Sequence, residues 1–321
     1  MKNIQASLSA EESSEKTNAN VIVTGIGTIS ALSVLENLRN IGNIKITGTD
    51  IHPPEWQTNL RFLDKFYRVP RYDSDDYISF MLEICLQNCV NYVFPLTDDA
   101  VDVLNRNKTI FESRGITICI SPPEALSRCR DKSKLGSDIP SFSPDKLQDV
   151  AIYPIIAKLK NGGGGRGQFK LENPAQLAMI KNMENYVFQS YIAGQVITTD
   201  VVRDKWGNTV SVSRKELRRT DNGAGTHVEI FEDSSLKEIV LQTAIDFNIL
   251  GCVNFEHLYS NGKYYLMDVN PRFSTGIGFS CLAGYNFVKE HLNVFQNKKI
   301  SELQKIRTRI LALEFKTIAI Q

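Results

Sequence analysis

Residues 153–171, YPIIAKLKNGGGGRGQFKL, place a run of four glycines (162–165) between two apolar stretches. A flexible linker is flanked by polar, structureless sequence, whereas IIAKLK and GQFKL both read as strands. The segment therefore predicts a hairpin flap. Glycine lets successive backbone N–H groups converge on one centre and lets a bulky anion approach closely, which is the chemistry of a phosphate-binding nest. Lys158 and Lys160 share a strand face and add positive charge beside that centre. The loop is not of the Walker A type, because Gly167 is followed by Gln168 and Phe169 rather than Lys and Ser/Thr. On these residues alone, a purely structural glycine turn remains the competing reading.

Outward from the flap, the chain divides. NVIVTGIGTISALSVLENLRN reads as strand, turn and helix, with helical spacing at Leu32, Leu35 and Leu38. NIKITGTDIHP, VNYVFPLTD and ITICISP read as further strands, separated by helices in SDDYISFMLEICLQNC and DDAVDVLNRNKTIFESRG. Such alternation predicts a parallel sheet with helices on its faces over residues 20–122. From residue 123 to 321 the pattern is α+β. PPEALSRCRDKSKLGSD and NPAQLAMIKNM read as helical. YVFQSYI, QVITTDVVRD and TVSVSRKEL read as strands, the last two joined by KWGN as a hairpin, and a helix in SSLKEIVLQTAIDFNIL leads into a second hairpin, GCVNFEHLYSNGKYYLMDVNPR. A lid subdomain is expected at about 150–192.

Composition narrows the function class. The 321 residues carry 37 Lys+Arg against 36 Asp+Glu, a net +1, so no global field points to nucleic acid or an anionic membrane as partner. The six cysteines show no C-x-x-C pair or zinc spacing and read as reduced, packed thiols. No signal-peptide core and no bilayer-length apolar run is present, which predicts a cytoplasmic protein. Residues 1–19, rich in Ser, Glu and Asn, read as a disordered tail.

The second hairpin holds the acidic residues. A two-residue NG loop would pair Ser260 with Lys263 and turn Glu256 and Asp268 to opposite faces. A three-residue SNG loop with Gly262 in the bulge position would pair Tyr259 with Lys263 and put Glu256, Asp268, Asn270 and Arg272 on one face. The second register is the expectation, because two carboxylates and an amide oxygen then suit Mg²⁺ held together with nucleotide phosphates.

With these parts in order, the chain from residue 20 onward resembles the ATP-grasp superfamily, near carbamoyl-phosphate synthase large-chain ATP domains and amino-acid or carboxylate–amine ligases. The resemblance implies a Rossmann-like pre-ATP-grasp domain followed by an ATP-grasp domain. RDKSKL matches the family's first nucleotide lysine, Lys132. YPIIAKLKNGGGGRG matches the second, Lys158, with Gly163, Gly164 and Gly165 over the phosphates. VFQSYIAGQ matches the adenine-binding hinge, implying backbone contacts from Gln189, Tyr191 and Ile192 and a ribose contact from Gln195. FEHLYSNGKYYLMDVNPR matches the metal ribbon, implying Mg²⁺, or Mn²⁺ in its place, on Glu256, Asp268 and Asn270. Arg272 would face the transferred phosphate or a substrate carboxylate. RKELRRTDNGAGTHVEI resembles the substrate-side segment, where Arg218 is chosen over Arg214 and Arg219.

The implied reaction is ATP-dependent amide formation on a small carboxylate, an amino acid among the candidates, through an acyl phosphate. Lys158 and Arg272 act in catalysis, and an amine or similar small molecule is the co-substrate. Carbamoyl-phosphate-synthase-like or carboxylase chemistry is the alternative outcome, with a homodimer as a compatible assembly. Two other classes compete: a non-catalytic ATP-binding regulatory subunit, and an NAD(P)-dependent oxidoreductase suggested by TGIGTIS followed by Asp50.

Overall fold

The computed structural model describes residues 18–149, 152–221 and 223–319. The expected tail lies outside the described residues up to residue 17. The chain then enters a five-stranded parallel sheet in the order β3-β2-β1-β4-β5. Its strands are β1 (Ala19–Thr24), β2 (Ile44–Asp50), β3 (Lys65–Arg68), β4 (Tyr92–Pro95) and β5 (Thr117–Ile118). Val21, Ile22 and Val23 are fully buried, as a central parallel strand covered on both faces requires. Helices α1 (Ile29–Arg39), α2 (Tyr77–Gln87), α3 (Asp98–Arg106), α4 (Lys108–Glu112) and α5 (Pro123–Arg130) supply the crossovers and the exit. The buried stripe of α1 is Ala31, Val34, Leu35 and Leu38; Leu35 and Leu38 lie on it as expected, while Leu32 is exposed and Ala31 and Val34 complete the face. β3 is new relative to the sequence reading: KFYR has no buried position and no clean alternation to betray it.

A small antiparallel sheet follows, in the order β6-β9-β7-β8, from β6 (Ser141–Phe142), β7 (Ile155–Leu159), β8 (Phe169–Leu171) and β9 (Tyr186–Ser190). NPAQLAMIKNM forms only a short 3₁₀ helix, Pro174–Met179, because no apolar face in it is buried. The small sheet has its own core of Leu147, Ile155, Ala157, Leu171, Ile180 and Phe188. The third sheet is antiparallel, ordered β14-β13-β10-β11-β12-β15, with β10 (Gln195–Arg203), β11 (Thr209–Arg219), β12 (Gly225–Phe231), β13 (Gly251–Ser260), β14 (Lys263–Asn270) and β15 (Arg309–Ala312). Helices α6 (Ser234–Asp246), α7 (Ile277–Leu282) and α8 (Phe287–Phe295) complete it. One core runs from Val34, Leu35 and Leu38 of α1 to Phe279, Phe287 and Leu292, welding this sheet to the first.

Two histidines sit inside this framework. His257 is fully buried with no hydrogen-bond partner on either ring nitrogen among the described residues. His291 accepts from the Cys252 N–H at 2.8 Å. Burial pulls His257 down to about 4 and His291 to about 3, the latter against an opposing hydrogen bond that its ring gives to the Cys119 backbone. Folded values lie below the value of ~6.5 in an unfolded chain, so the stability that these neutral rings contribute is complete above ~6.5 and is lost as pH falls toward the folded values. Denaturant titrations between pH 7 and 4 should show this loss at up to ~1.4 kcal/mol per pH unit for each ring. His257→Leu should remove one ring's share of the slope; an unchanged slope would refute the assignment.

Candidate active site

The two half-sites meet through an irregularity that a strand count misses. The ribbon β13–β14 closes with a two-residue turn: Ser260 pairs with Lys263, and Asn261 and Gly262 both have positive φ, 50° and 77°, as a type I′ turn requires. The expected three-residue loop is therefore wrong. Its consequence survives, because a β-bulge lies further along: His257 pairs with Leu266 and Glu256 with Asp268, leaving Met267 as the extra residue. The bulge restores the shared face that the turn alone would have destroyed. Met267 and Asp268 both line the cavity as a result.

That cavity, about 510 Å³, lies between the small sheet and the six-stranded sheet. Lys132, Lys158, Gly164, Gly165, Gln189, Tyr191, Ile192, Glu256, Asp268, Asn270 and Arg272 all line it. Sequence reading missed Ile139, Ile156, Val196, Leu258 and Met267, which add apolar walls suited to a flat ring. Two expected contributors are elsewhere. Gln195 does not line the cavity; its amide donates to the Glu216 carbonyl at 2.8 Å, which spends it inside the sheet. Gly163 faces Asp98 rather than the cavity. At the hinge, β9 ends at Ser190 and the Tyr191 N–H already bonds the Pro154 carbonyl at 3.2 Å.

Arg218 is a third correction. The ladder β11–β12 slips between Glu216 and Arg218, which inverts the alternation beyond Leu217. Arg218 is exposed and outside the cavity, while Arg214, Glu216 and Arg219 line it. Arg214 is 1% exposed and donates from Nη1 to Asp200 at 2.6 Å and from Nη2 to Ser274 at 3.1 Å. Burial alone would pull its guanidinium down, but Asp200 and Glu216 outweigh that and hold it above the usual arginine value.

Charge is paired across the site. Lys132 Nζ donates to Asp268 Oδ1 and to the Gly162 carbonyl, both at 2.8 Å, tying the glycine loop to the ribbon. Arg219 Nη2 meets Glu256 Oε2 at 3.3 Å. Burial, aided by Asp268 and Glu216, raises the Glu256 carboxyl against the pull of Arg219. Burial lowers the Lys158 ammonium, and Lys132 acts in the same direction against Asp268 and Glu256. At Asp98, burial pushes upward but Arg272, Arg130 and Lys132 win, so its carboxyl is held below the usual range. Asp98 opens α3, directly after the N-cap Thr97.

The donor set fits a hard divalent cation. Glu256 and Asp268 offer carboxylate oxygens on one face, and Asn270 adds an amide oxygen that also accepts from Arg272 Nη2 at 3.3 Å. Among the described residues no cluster of three or more His, Cys, Asp or Glu side chains converges, so a magnesium-type site completed by phosphate oxygens suits this chemistry better than an all-protein cage. The dinucleotide motif is differently occupied: Asp50, buried, accepts from the Gly27 and His52 N–H groups, both at 2.9 Å, and is spent closing its own turn.

Two family models match in sequence: PylC-like, N-terminal domain, over residues 16–119, and ATP-grasp in the biosynthetic pathway with Ter operon, over residues 182–318. Biotin carboxylase of Pseudomonas aeruginosa is 24% identical over 211 residues, which is 58% of this chain and 47% of that protein. The carbamoyl phosphate synthase large chain of Thermoplasma acidophilum is 26% identical over 200 residues, 53% of this chain and 19% of that one. The chain thus aligns with about half or less of the length of these curated relatives. In structure, a biotin carboxylase–βγ-ATP complex from Campylobacter jejuni superposes with a TM-score of 0.76 at 18% identity, covering 92% of this chain and 75% of that one. N5-carboxyaminoimidazole synthetase from Staphylococcus aureus complexed with ADP gives 0.72 at 16%, covering 92% and 82%. No helix among the described residues is long and apolar enough to cross a membrane. Sheet topology and these matches agree on the fold: a PylC-like N-terminal domain precedes a domain of ATP-grasp architecture.

Proposed function

We propose that the chain binds Mg·ATP between the small and the six-stranded sheets and uses it to activate a small carboxylate for attack by an amine. One observation carries this reading: both lysines, the glycine loop and the oxygen ligands of the ribbon line a single cavity. Apolar walls from Ile139, Ile156 and Leu258 take the adenine, and Lys132 and Lys158 neutralise the phosphates. Glu256, Asp268 and Asn270 would hold the ion, which would offset the charge that develops on the phosphates. Arg272 presents guanidinium protons at the same end of the site. The substrate carboxylate attacks the terminal phosphorus and ADP leaves; the amine then displaces phosphate from the acyl phosphate. No side-chain nucleophile is required, and positioning with charge neutralisation supplies the rate.

The relative named biotin carboxylase makes bicarbonate a natural member of the carboxylate panel. Mg·ATP at a hundredfold excess over its dissociation constant should add about 2.7 kcal/mol of stability, and NADH or NADPH should add none. An ADP-release screen over amino acids, other carboxylates and bicarbonate, each with and without an amine, then identifies the reaction. Protection by NADPH instead of Mg·ATP overturns the proposal. ATP binding with silence across a broad panel favours a regulatory subunit.

A further inference from the structure

We infer that Asp98 is a positioning residue that fixes the Arg272 guanidinium for the terminal phosphate and seats the glycine loop, an inference that rests on the Mg·ATP reading above. Arg272 donates to it as a fork, from Nε to Oδ1 and from Nη2 to Oδ2, both at 3.0 Å. The same guanidinium gives Nη2 to Asn270 Oδ1 at 3.3 Å and Nη1 to the Phe273 carbonyl at 3.2 Å. Of its N–H donors, one on Nη1 is left for a ligand. A planar fork held in this way needs no reorganisation when charge develops beside it.

The carboxylate is itself braced. Arg130 Nη1 lies 3.5 Å from Asp98 Oδ1 and its Nη2 bonds Asp102 at 3.0 Å. Thr97 caps α3 by accepting from the Ala100 N–H at 3.2 Å, which fixes the turn that carries Asp98. On the other side lies the loop: a methyl group added to Gly163 would sit 2.7 Å from Asp98 Oδ2, so nothing larger than glycine fits between them. Gly164 and Gly165, by contrast, have open space and positive φ of 61° and 70°. One carboxylate at the end of the parallel sheet therefore lies close beside the loop of the small sheet and bonds the arginine that follows β14.

The opposite reading, that Asp98 sequesters Arg272, predicts the opposite sign. Calorimetry with Mg·ADP and with a non-hydrolysable Mg·ATP analogue compares wild type, Asp98→Asn, Asp98→Glu, Arg272→Ala and the double variant Asp98→Asn/Arg272→Ala. Asp98→Asn should lose about tenfold of the triphosphate preference, the scale of a charge-assisted hydrogen bond, with Mg·ADP affinity unchanged. Arg272→Ala should do the same, the double variant should add nothing further, and Asp98→Glu should recover part. A preference that is unchanged or increased in Asp98→Asn overturns the positioning role. Arg166, exposed in the loop, supplies a second readout without nucleotide: trypsin should cut there faster in Asp98→Ala, and an unchanged rate overturns the seating role. Binding of neither nucleotide by wild type would instead sink the Mg·ATP reading, with the cleavage rates still deciding the loop.

Discussion

Asp268→Asn is expected to lower ADP release by about 100-fold or more, a loss of ~2.7 kcal/mol in transition-state stabilisation, while the protein remains folded. The carboxylate has two partners at stake. It pairs with Lys132 at 2.8 Å, and through that lysine it is linked to the Gly162 carbonyl of the loop. It is also one of the two acids available to a divalent ion. Asparagine preserves the shape and one oxygen but removes the charge, so the ion site and the lysine's orientation fail together. Unfolding should change little, because the pair is partly open to solvent and such bridges contribute at most ~1 kcal/mol. Thermal unfolding with and without Mg·ATP, beside the ADP-release rate, checks both halves. Near-normal turnover would remove Asp268 from the site.

Lys158→Met should reduce kcat/KM for ATP by about 100-fold or more, with the nucleotide-free protein as stable as wild type or slightly more so. Burial lowers the Lys158 ammonium, which means that the charged form carries a desolvation cost that a bound anion would offset. The signs follow. Phosphate favours the protonated form, so Mg·ATP binding should weaken as pH rises through the depressed value. In the free protein the folded value lies below the unfolded one of ~10.4, so the stability of wild type relative to Lys158→Met should increase with pH across that interval. Isothermal titration at several alkaline pH values, with matched denaturant melts, measures both trends; a flat nucleotide affinity in wild type would show that Lys158 does not meet the phosphates.

Much of this was readable in the chain because it rests on local pattern. Apolar runs marked β1, β2 and β4, and the lysine, glycine and acid motifs marked residues that do line one cavity. What escaped has a common physical origin. Side-chain direction along a strand is a running parity, and a single unpaired residue resets it without leaving a distinctive letter in the sequence. The bulge at Met267 made a wrong turn assignment yield the right face, and the slip beyond Leu217 carries Arg219 rather than Arg218 into the cavity, which the resemblance alone could not distinguish. Gln195 was misplaced because its amide finds the Glu216 backbone carbonyl on the neighbouring strand, a choice only the folded sheet offers. Asp98 escaped because its partner, Arg272, is 174 residues away.

The odd residue in the acidic ribbon also sets what the hairpin can tolerate. Since Met267 stands between the tip and Asp268, residues added to the tip in twos leave Glu256 opposite Asp268, whereas a lone insertion or deletion there shifts the count by one and sends the acid out to the back of the sheet. Removal of Met267 itself would instead leave the two acids facing one another, a consequence of geometry that holds whatever the substrate proves to be.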